Sequence, residues 1–176
     1  MKRYIIALLL LAACTGIQAQ SWSTYNTINP GYSFQMPGNP VILDTLNIRY
    51  AYLKQDSITV FQVMAFKDTP LDSANSAFIY ALGQTSGDTL MALASSIAAT
   101  NGAIITGSQN ITDFSAYKGL EACMKYNDPI AGRILVVYTR YYYNDRLLLT
   151  FSVTGAEDDM TVLQNNKTLF FNSISL

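Results

Sequence analysis

Histidine is absent from the 176 residues, and cysteine occurs only twice. Without histidine there is no His-dependent triad, no imidazole general base and no His-containing metal site. Two cysteines are also too few for a cysteine metal site. Charge is scarce: Asp, Glu, Lys and Arg make up 13% of the chain, and no basic cluster follows Arg3. Recognition of a phosphate backbone rests on such clusters, so no nucleic-acid partner is expected. No glycine-rich phosphate loop occurs, and no cofactor is expected. Beyond the first twenty residues no continuous apolar run approaches the ~20 residues that a membrane-spanning helix needs.

What is present begins with the N-terminus. Lys2 and Arg3 precede an unbroken apolar run over residues 4–13, followed by Gly16 and Ala19-Gln20. That order of charge, apolar core and small-residue cleavage site is a secretory signal peptide. The expected organisation is a signal peptide over residues 1–19 and a single domain over residues 20–176. A second processing route stays open, because Leu11-Ala12-Ala13-Cys14 resembles a bacterial lipobox. In that case residues 1–13 leave and Cys14 carries the lipid. The protein is therefore expected to be exported, either periplasmic or secreted, or lipid-anchored to the envelope through Cys14, its one expected membrane contact.

Cleavage after Ala19 leaves 157 residues, enough for one domain that buries ~70% of its unfolded surface. Loss of Lys2 and Arg3 from the eleven basic residues leaves nine against twelve acidic ones, a net charge of −3. Cys123 is then alone or accompanied by an acylated Cys14, so no intrachain disulfide is expected. A small buried hydrophobe is its expected role.

Hydrophobic periodicity organises the rest. Tyr32, Phe34 and Met36 alternate with Ser33 and Gln35 after a turn at Asn29-Pro30-Gly31, the pattern of a half-buried strand. Pro37-Gly38-Asn39-Pro40 stops it. Ile48, Tyr50 and Tyr52 share one face of a second strand. Residues 58–66, apolar on both faces, predict a third that is central and covered on both sides. A helix is predicted over residues 72–82 with Asp72 as N-cap. Another follows Asp88, with Leu90, Leu93, Ala94 and Ile97 as its buried stripe and Gly102 as its C-terminal cap.

Strands then dominate. Residues 104–114 are weakly extended and interrupted by Gly107. Leu120, Ala122, Met124 and Tyr126 face away from Glu121, Cys123 and Lys125. Residues 134–143 turn at Asn144-Asp145 into Leu147, Leu149, Phe151 and Val153, and Gly155 ends that strand. Glu157-Asp158-Asp159 opens a last helix, where the N-terminal dipole favours acids, and Met160, Leu163, Phe170 and Phe171 form its buried stripe. The expected class is α+β, with helices laid over a central antiparallel sheet.

Four segments, in this order, resemble the PsbP-like superfamily, which includes PsbP, the import factor Mog and bacterial envelope proteins of the DcrB type. They are Gly31-Tyr32-Ser33-Phe34-Gln35-Met36-Pro37, Tyr117-Lys118-Gly119-Leu120-Glu121, the hairpin over residues 140–155, and the helix end Phe170-Phe171-Asn172-Ser173-Ile174. The resemblance implies an α/β/α sandwich around an antiparallel sheet. It also implies an accessory or binding protein rather than an enzyme, with no catalytic residues to carry over.

The remaining candidates are few. Ser115-x-x-Lys118 matches a nucleophile pattern that needs a helix start, yet it falls in a turn between strands beside Gly119. Glu157-Asp158-Asp159 lacks the further loop oxygens that a calcium ion takes. Tyr138, Tyr141, Tyr142 and Tyr143 divide by alternation, with Tyr141 and Tyr143 on one face as a candidate partner surface. Asp44-Thr45-Leu46, Asp56-Ser57-Ile58, Asp72-Ser73-Ala74 and Asp88-Thr89-Leu90 repeat an Asp, hydroxyl, apolar order. This resembles the O-glycosylation acceptor of exported Bacteroides-type proteins, and makes Thr45, Ser57, Ser73 and Thr89 candidate glycan sites. Asp before Ser or Thr is also ordinary turn and capping chemistry. The function expected is a non-catalytic envelope protein that engages a protein or surface partner. The alternative is a small-ligand carrier with its pocket between sheet and helices, and a hydrolase ranks behind both.

Overall fold

Period-two alternation produces strands here because each strand buries one face while its backbone is satisfied by neighbours. The computed structural model describes residues 21–28, 31–45, 48–56, 58–67, 89–130, 132–144 and 147–176. In chain order the strands are β1 (Trp22–Ile28), β2 (Gly31–Pro37), β3 (Val41–Asp44), β4 (Ile48–Lys54) and β5 (Val60–Lys67). Helix α1 (Thr89–Thr100) follows, then β6 (Ile104–Ile111), β7 (Lys118–Asp128), β8 (Arg133–Asn144), β9 (Leu147–Ala156) and helix α2 (Met160–Asn172). The expected signal peptide, Cys14, the expected helix over residues 72–82, Ser57, Ser73 and Asp145 lie outside the described residues.

Seven of these strands form one sheet in the order β3-β4-β5-β9-β8-β7-β6, antiparallel throughout. It consists of two meanders, β3–β5 and β6–β9, joined along a seam where Val60 pairs with Thr154 and Lys67 with Leu147. β1 and β2 pair with each other as a separate ribbon. The ribbon and α2 cover one face of the sheet, and α1 lies on the other. This is the expected α+β class and α/β/α layering.

The face under α2 holds the larger core. Phe170 meets the rings of Phe61, Phe34 and Phe151 edge-on, with centroids 5.3, 6.5 and 6.3 Å away. The chain after α2 then fastens the ribbon. Ser33 and Ser175 exchange two backbone hydrogen bonds of 2.9 and 3.0 Å, and the Gln35 amide donates to Ser173 Oγ at 2.9 Å.

Two glycines permit close approach. A Cβ on Gly119 would stand 2.5 Å from Ile111 Cγ1 and 2.7 Å from the Ile111 carbonyl oxygen. A Cβ on Gly155 would meet Leu163 of α2 at 3.0 Å. Gly155 therefore lies within β9 as a docking point for α2, rather than ending the strand.

Several expectations shift. Residues 22–25 belong to β1. β3 is an additional edge strand whose Val41, Ile42 and Leu43 are all exposed. β5 buries Phe61, Val63 and Ala65 on one face only, since Gln62 and Met64 on the other are half-exposed. The buried stripe of α1 is Leu90, Ala94 and Ala98, and Ile97 remains 37% exposed. Gly102 does terminate α1 with φ +63°. Asn144 pairs with Leu147 and so belongs to β8 rather than to the turn. The three acids form a 3-10 turn, Glu157–Asp159, ahead of α2. Asn166 joins Leu163, Phe170 and Phe171 in the buried stripe of α2, while Met160 is half-exposed.

Candidate functional site

On the α1 side of the sheet, strand pairing brings four polar side chains into a row. Tyr52 pairs with Gln62, Gln62 with Ser152, and Ser152 with Thr139. The Thr139 and Ser152 hydroxyl oxygens are 2.9 Å apart. The next row in one direction is Val60, Thr154, Val137 and Met124, and in the other it is Met64, Thr150 and Tyr141. All of these line a cleft of about 520 Å³. Its helical wall is Ile97, Ala98 and Asn101.

The cleft exists because α1 packs over the β7–β8 side of the sheet, where Leu90, Ala94 and Ala98 meet Leu120, Ala122, Met124 and Tyr141. The small alanines bring the helix close there. The centre of the floor, on β5 and β9, is left half-exposed.

Among the described lining residues, charge is confined to Lys54 and Asp128. The Asp128 carboxylate accepts from the Ile130 amide at 2.8 Å and so helps to shape the β7–β8 turn. Burial pushes the Tyr141 phenol up to about 12, against a hydrogen bond with Thr139 that lowers it. The polar groups of the floor are thus neutral and both donate and accept hydrogen bonds, set among Val60, Met64, Met124 and Val137. In its row the Thr139–Ser152 pair is flanked by Gln62 and Ala122, neither of which ionises.

Tyr141 and Tyr143 share the α1 face, as alternation predicts, but they are only 2% and 4% exposed. Expected as a partner surface, they are instead core residues, and Tyr141 also forms part of the cleft wall. Alternation assigned their face, and α1 packing buries it. Tyr138 and Tyr142 occupy the opposite face. Tyr138 accepts from Gln164 Nε2 at 2.6 Å, and Tyr142 donates to Asp113 at 3.2 Å.

The other candidates are dispersed. Ser115 lies in the turn after β6 and Lys118 opens β7, so Ser-x-x-Lys has no helix beneath it. Glu157 pairs with Lys125 at 2.5 Å and Asp158 with Arg133 at 4.0 Å, and no group of three metal-ligating side chains gathers among the described residues. Cys123 is half-buried and accepts from the Thr106 hydroxyl at 3.3 Å. Thr45 is exposed, and its hydroxyl donates to the Ile48 carbonyl at 2.9 Å. Thr89 opens α1 and is half-buried. The cleft itself escaped sequence reasoning. Its signal was Thr150, Ser152 and Thr154 alternating with Leu149, Phe151 and Val153 on a strand that is central in the sheet.

No family model and no curated protein sequence matches the chain. The solution structure of cyanobacterial PsbP (CyanoP) from Synechocystis sp. PCC 6803 is similar to it, with a TM-score of 0.59 and 12% identity over 92% of this chain and 95% of that one. A protein of unknown function, PA94 from Pseudomonas aeruginosa, is 11% identical over 84% of this chain and 91% of that one, with a TM-score of 0.45. LpqN, involved in cell envelope biogenesis of Mycobacterium tuberculosis, is 8% identical over 91% and 86%, with a TM-score of 0.37. The latter two similarities are too weak to carry an argument. The first establishes the fold.

Proposed function

From the premise of a PsbP-like fold, we propose that this chain is an exported, non-catalytic binding protein of the bacterial envelope whose site is the cleft between α1 and the sheet. One observation carries the reading. A concavity of about 520 Å³ lies over a floor that joins apolar and neutral polar side chains, and its size is within the ~300–1,000 Å³ usual for ligand sites. The signal-peptide pattern in the first nineteen residues supports the location. A chain without histidine, and without a base in the Thr139–Ser152 row, supports binding over turnover.

The test starts from expression of the full sequence and recovery of the processed protein for native and intact mass spectrometry. A small molecule retained by the wild type and lost from Ile97→Trp, which fills the cleft from its helical wall, is the expected result. Equal retention by both proteins, or none by either, overturns the assignment of the site. The same intact mass separates a Gln20 start from an acylated Cys14, and an unprocessed chain in the cytosol overturns export.

A second reading is supported by β3. Val41, Ile42 and Leu43 are consecutive on an edge strand and 60%, 53% and 57% exposed, a profile that suits strand addition by a protein partner. In-cell crosslinking from position 42 tests it. An adduct that disappears when Leu43→Lys is added, without change in thermal stability, favours this reading, and absence of any adduct removes it.

A further inference from the structure

We infer that the cleft takes a neutral amphiphile, an uncharged hydroxyl-bearing head on an alkyl chain. This deepens the binding reading above and rests on it. The head belongs on the row of half-exposed Gln62 and Ser152, backed by buried Thr139. The Gln62 amide also donates to the Tyr50 hydroxyl at 3.2 Å, and the Ser152 and Thr139 hydroxyls lie 2.9 Å apart. A hydroxyl head both gives and takes hydrogen bonds, and only such a row answers it from both sides. The chain belongs on the neighbouring row of Val60, Thr154, Val137 and Met124, apolar except for Thr154, and on Leu135 further along β8. Methionine adapts its shape to an alkyl chain at little cost.

Charge decides against the ionic relatives of such a ligand. A charged head on the hydroxyl row would be removed from water with no opposite charge beside it, which is strongly unfavourable. The lining charges, one Lys54 and one Asp128, are of opposite sign, and neither lies in the hydroxyl row. The Asp128 carboxylate is moreover engaged with the Ile130 amide. Neither a carboxylate nor an ammonium head finds a net counter-charge.

The measurement uses protein from expression of the full sequence, with N-phenyl-1-naphthylamine as a neutral fluorescent probe. Three competitors of equal chain length follow, each below its micellar concentration: monodecanoylglycerol, decanoate and decyltrimethylammonium. The neutral monoglyceride is expected to displace the probe roughly tenfold more effectively than either ion. The double variant Thr139→Val with Ser152→Ala is expected to weaken the monoglyceride about fivefold.

The failures separate. Equal displacement by all three competitors overturns the ligand class while the cleft stands as a site. An unchanged monoglyceride affinity in the double variant overturns the placement of the head. Probe binding that is absent, or insensitive to Ile97→Trp, overturns the cleft reading itself. Should Ile97→Trp not fold, Met124→Phe on the sheet side supplies the same obstruction from the floor.

Discussion

Lys167 Nζ on α2 stands 2.5 Å from Glu121 Oε1 on β7, and Arg140 Nε on β8 holds the other carboxylate oxygen at 2.8 Å. The Glu121 side chain is only 7% exposed, so one carboxylate ties a helix to two strands beneath the surface. Arg140 also lies 4.7 Å over the Phe171 ring, which links the ion cluster to the aromatic core. Without Glu121, Arg140 keeps Asp113 at 3.1 Å while Lys167 loses its carboxylate. Glu121→Ala is therefore expected to cost about 1–3 kcal/mol, read as a fall in the urea midpoint at unchanged m-value.

Acid should act through the same carboxylate. Burial alone would raise the Glu121 carboxyl, but hydrogen bonds and charge from Lys167 and Arg140 outweigh it and hold it below the usual range. A carboxyl depressed by folding contributes stability above its unfolded pKa of ~4.3. That contribution is lost as pH falls through the lower folded value. Thermal stability should thus decline below about pH 4, and Glu121→Gln should show a shallower decline than wild type. An identical slope in the variant would assign the acid sensitivity elsewhere.

Glycine at position 119 should be irreplaceable where glycine at 107 is not. A Cβ at 119 meets the Ile111 backbone oxygen at 2.7 Å, whereas one at 107 has nothing within 4 Å. Gly119→Ala is expected to destabilise by about 1–3 kcal/mol, and Gly107→Ala to change stability by less than about 0.5 kcal/mol. Differential scanning calorimetry of the two variants checks the contrast.

Adjacent residues on α2 should behave oppositely. Phe170 is fully buried against four other rings, while Leu169 is 54% exposed. Phe170→Ala should cost about 3–5 kcal/mol, and Leu169→Ala less than about 0.5 kcal/mol.

Alkaline titration should reveal a late group of tyrosines. Burial pushes Tyr32, Tyr141 and Tyr142 each up to about 12. The unfolded chain ionises these phenols near pH 10. Their contribution to stability is therefore complete below that pH and is lost as pH rises through the folded values. Phenolate absorbance of the folded protein should show a phase near pH 12 that loses one equivalent in Tyr141→Phe.

Much of the sheet was legible because burial of one face leaves a period-two trace. Ile48, Tyr50 and Tyr52, the alternating residues of β7, and the split between Tyr141 and Tyr138 all fall on the faces that alternation assigns. β3 left no trace, since Val41, Ile42 and Leu43 have no buried side and are held by backbone pairing with β4. β1 is short and polar, and its ribbon is fastened by Ser173 and Ser175 from the far end of the chain. The stripe of α1 was misjudged because hydrophobicity ranks Ile97 above Ala98, whereas close approach to a sheet favours the smaller side chain. The cleft was invisible for a related reason. Thr150, Ser152 and Thr154 read as a solvent-facing edge of a strand, and only the position of α1 turns them into a floor.

The seam between β5 and β9 carries a kinetic consequence. The first meander has no inner neighbour until residues 147–154 exist, and the ribbon has no clip until residues 173–175 exist. Contacts of such sequence separation form late and slowly. Completion of the sheet therefore waits on residues 147–154, and closure of the ribbon on residues 173–175.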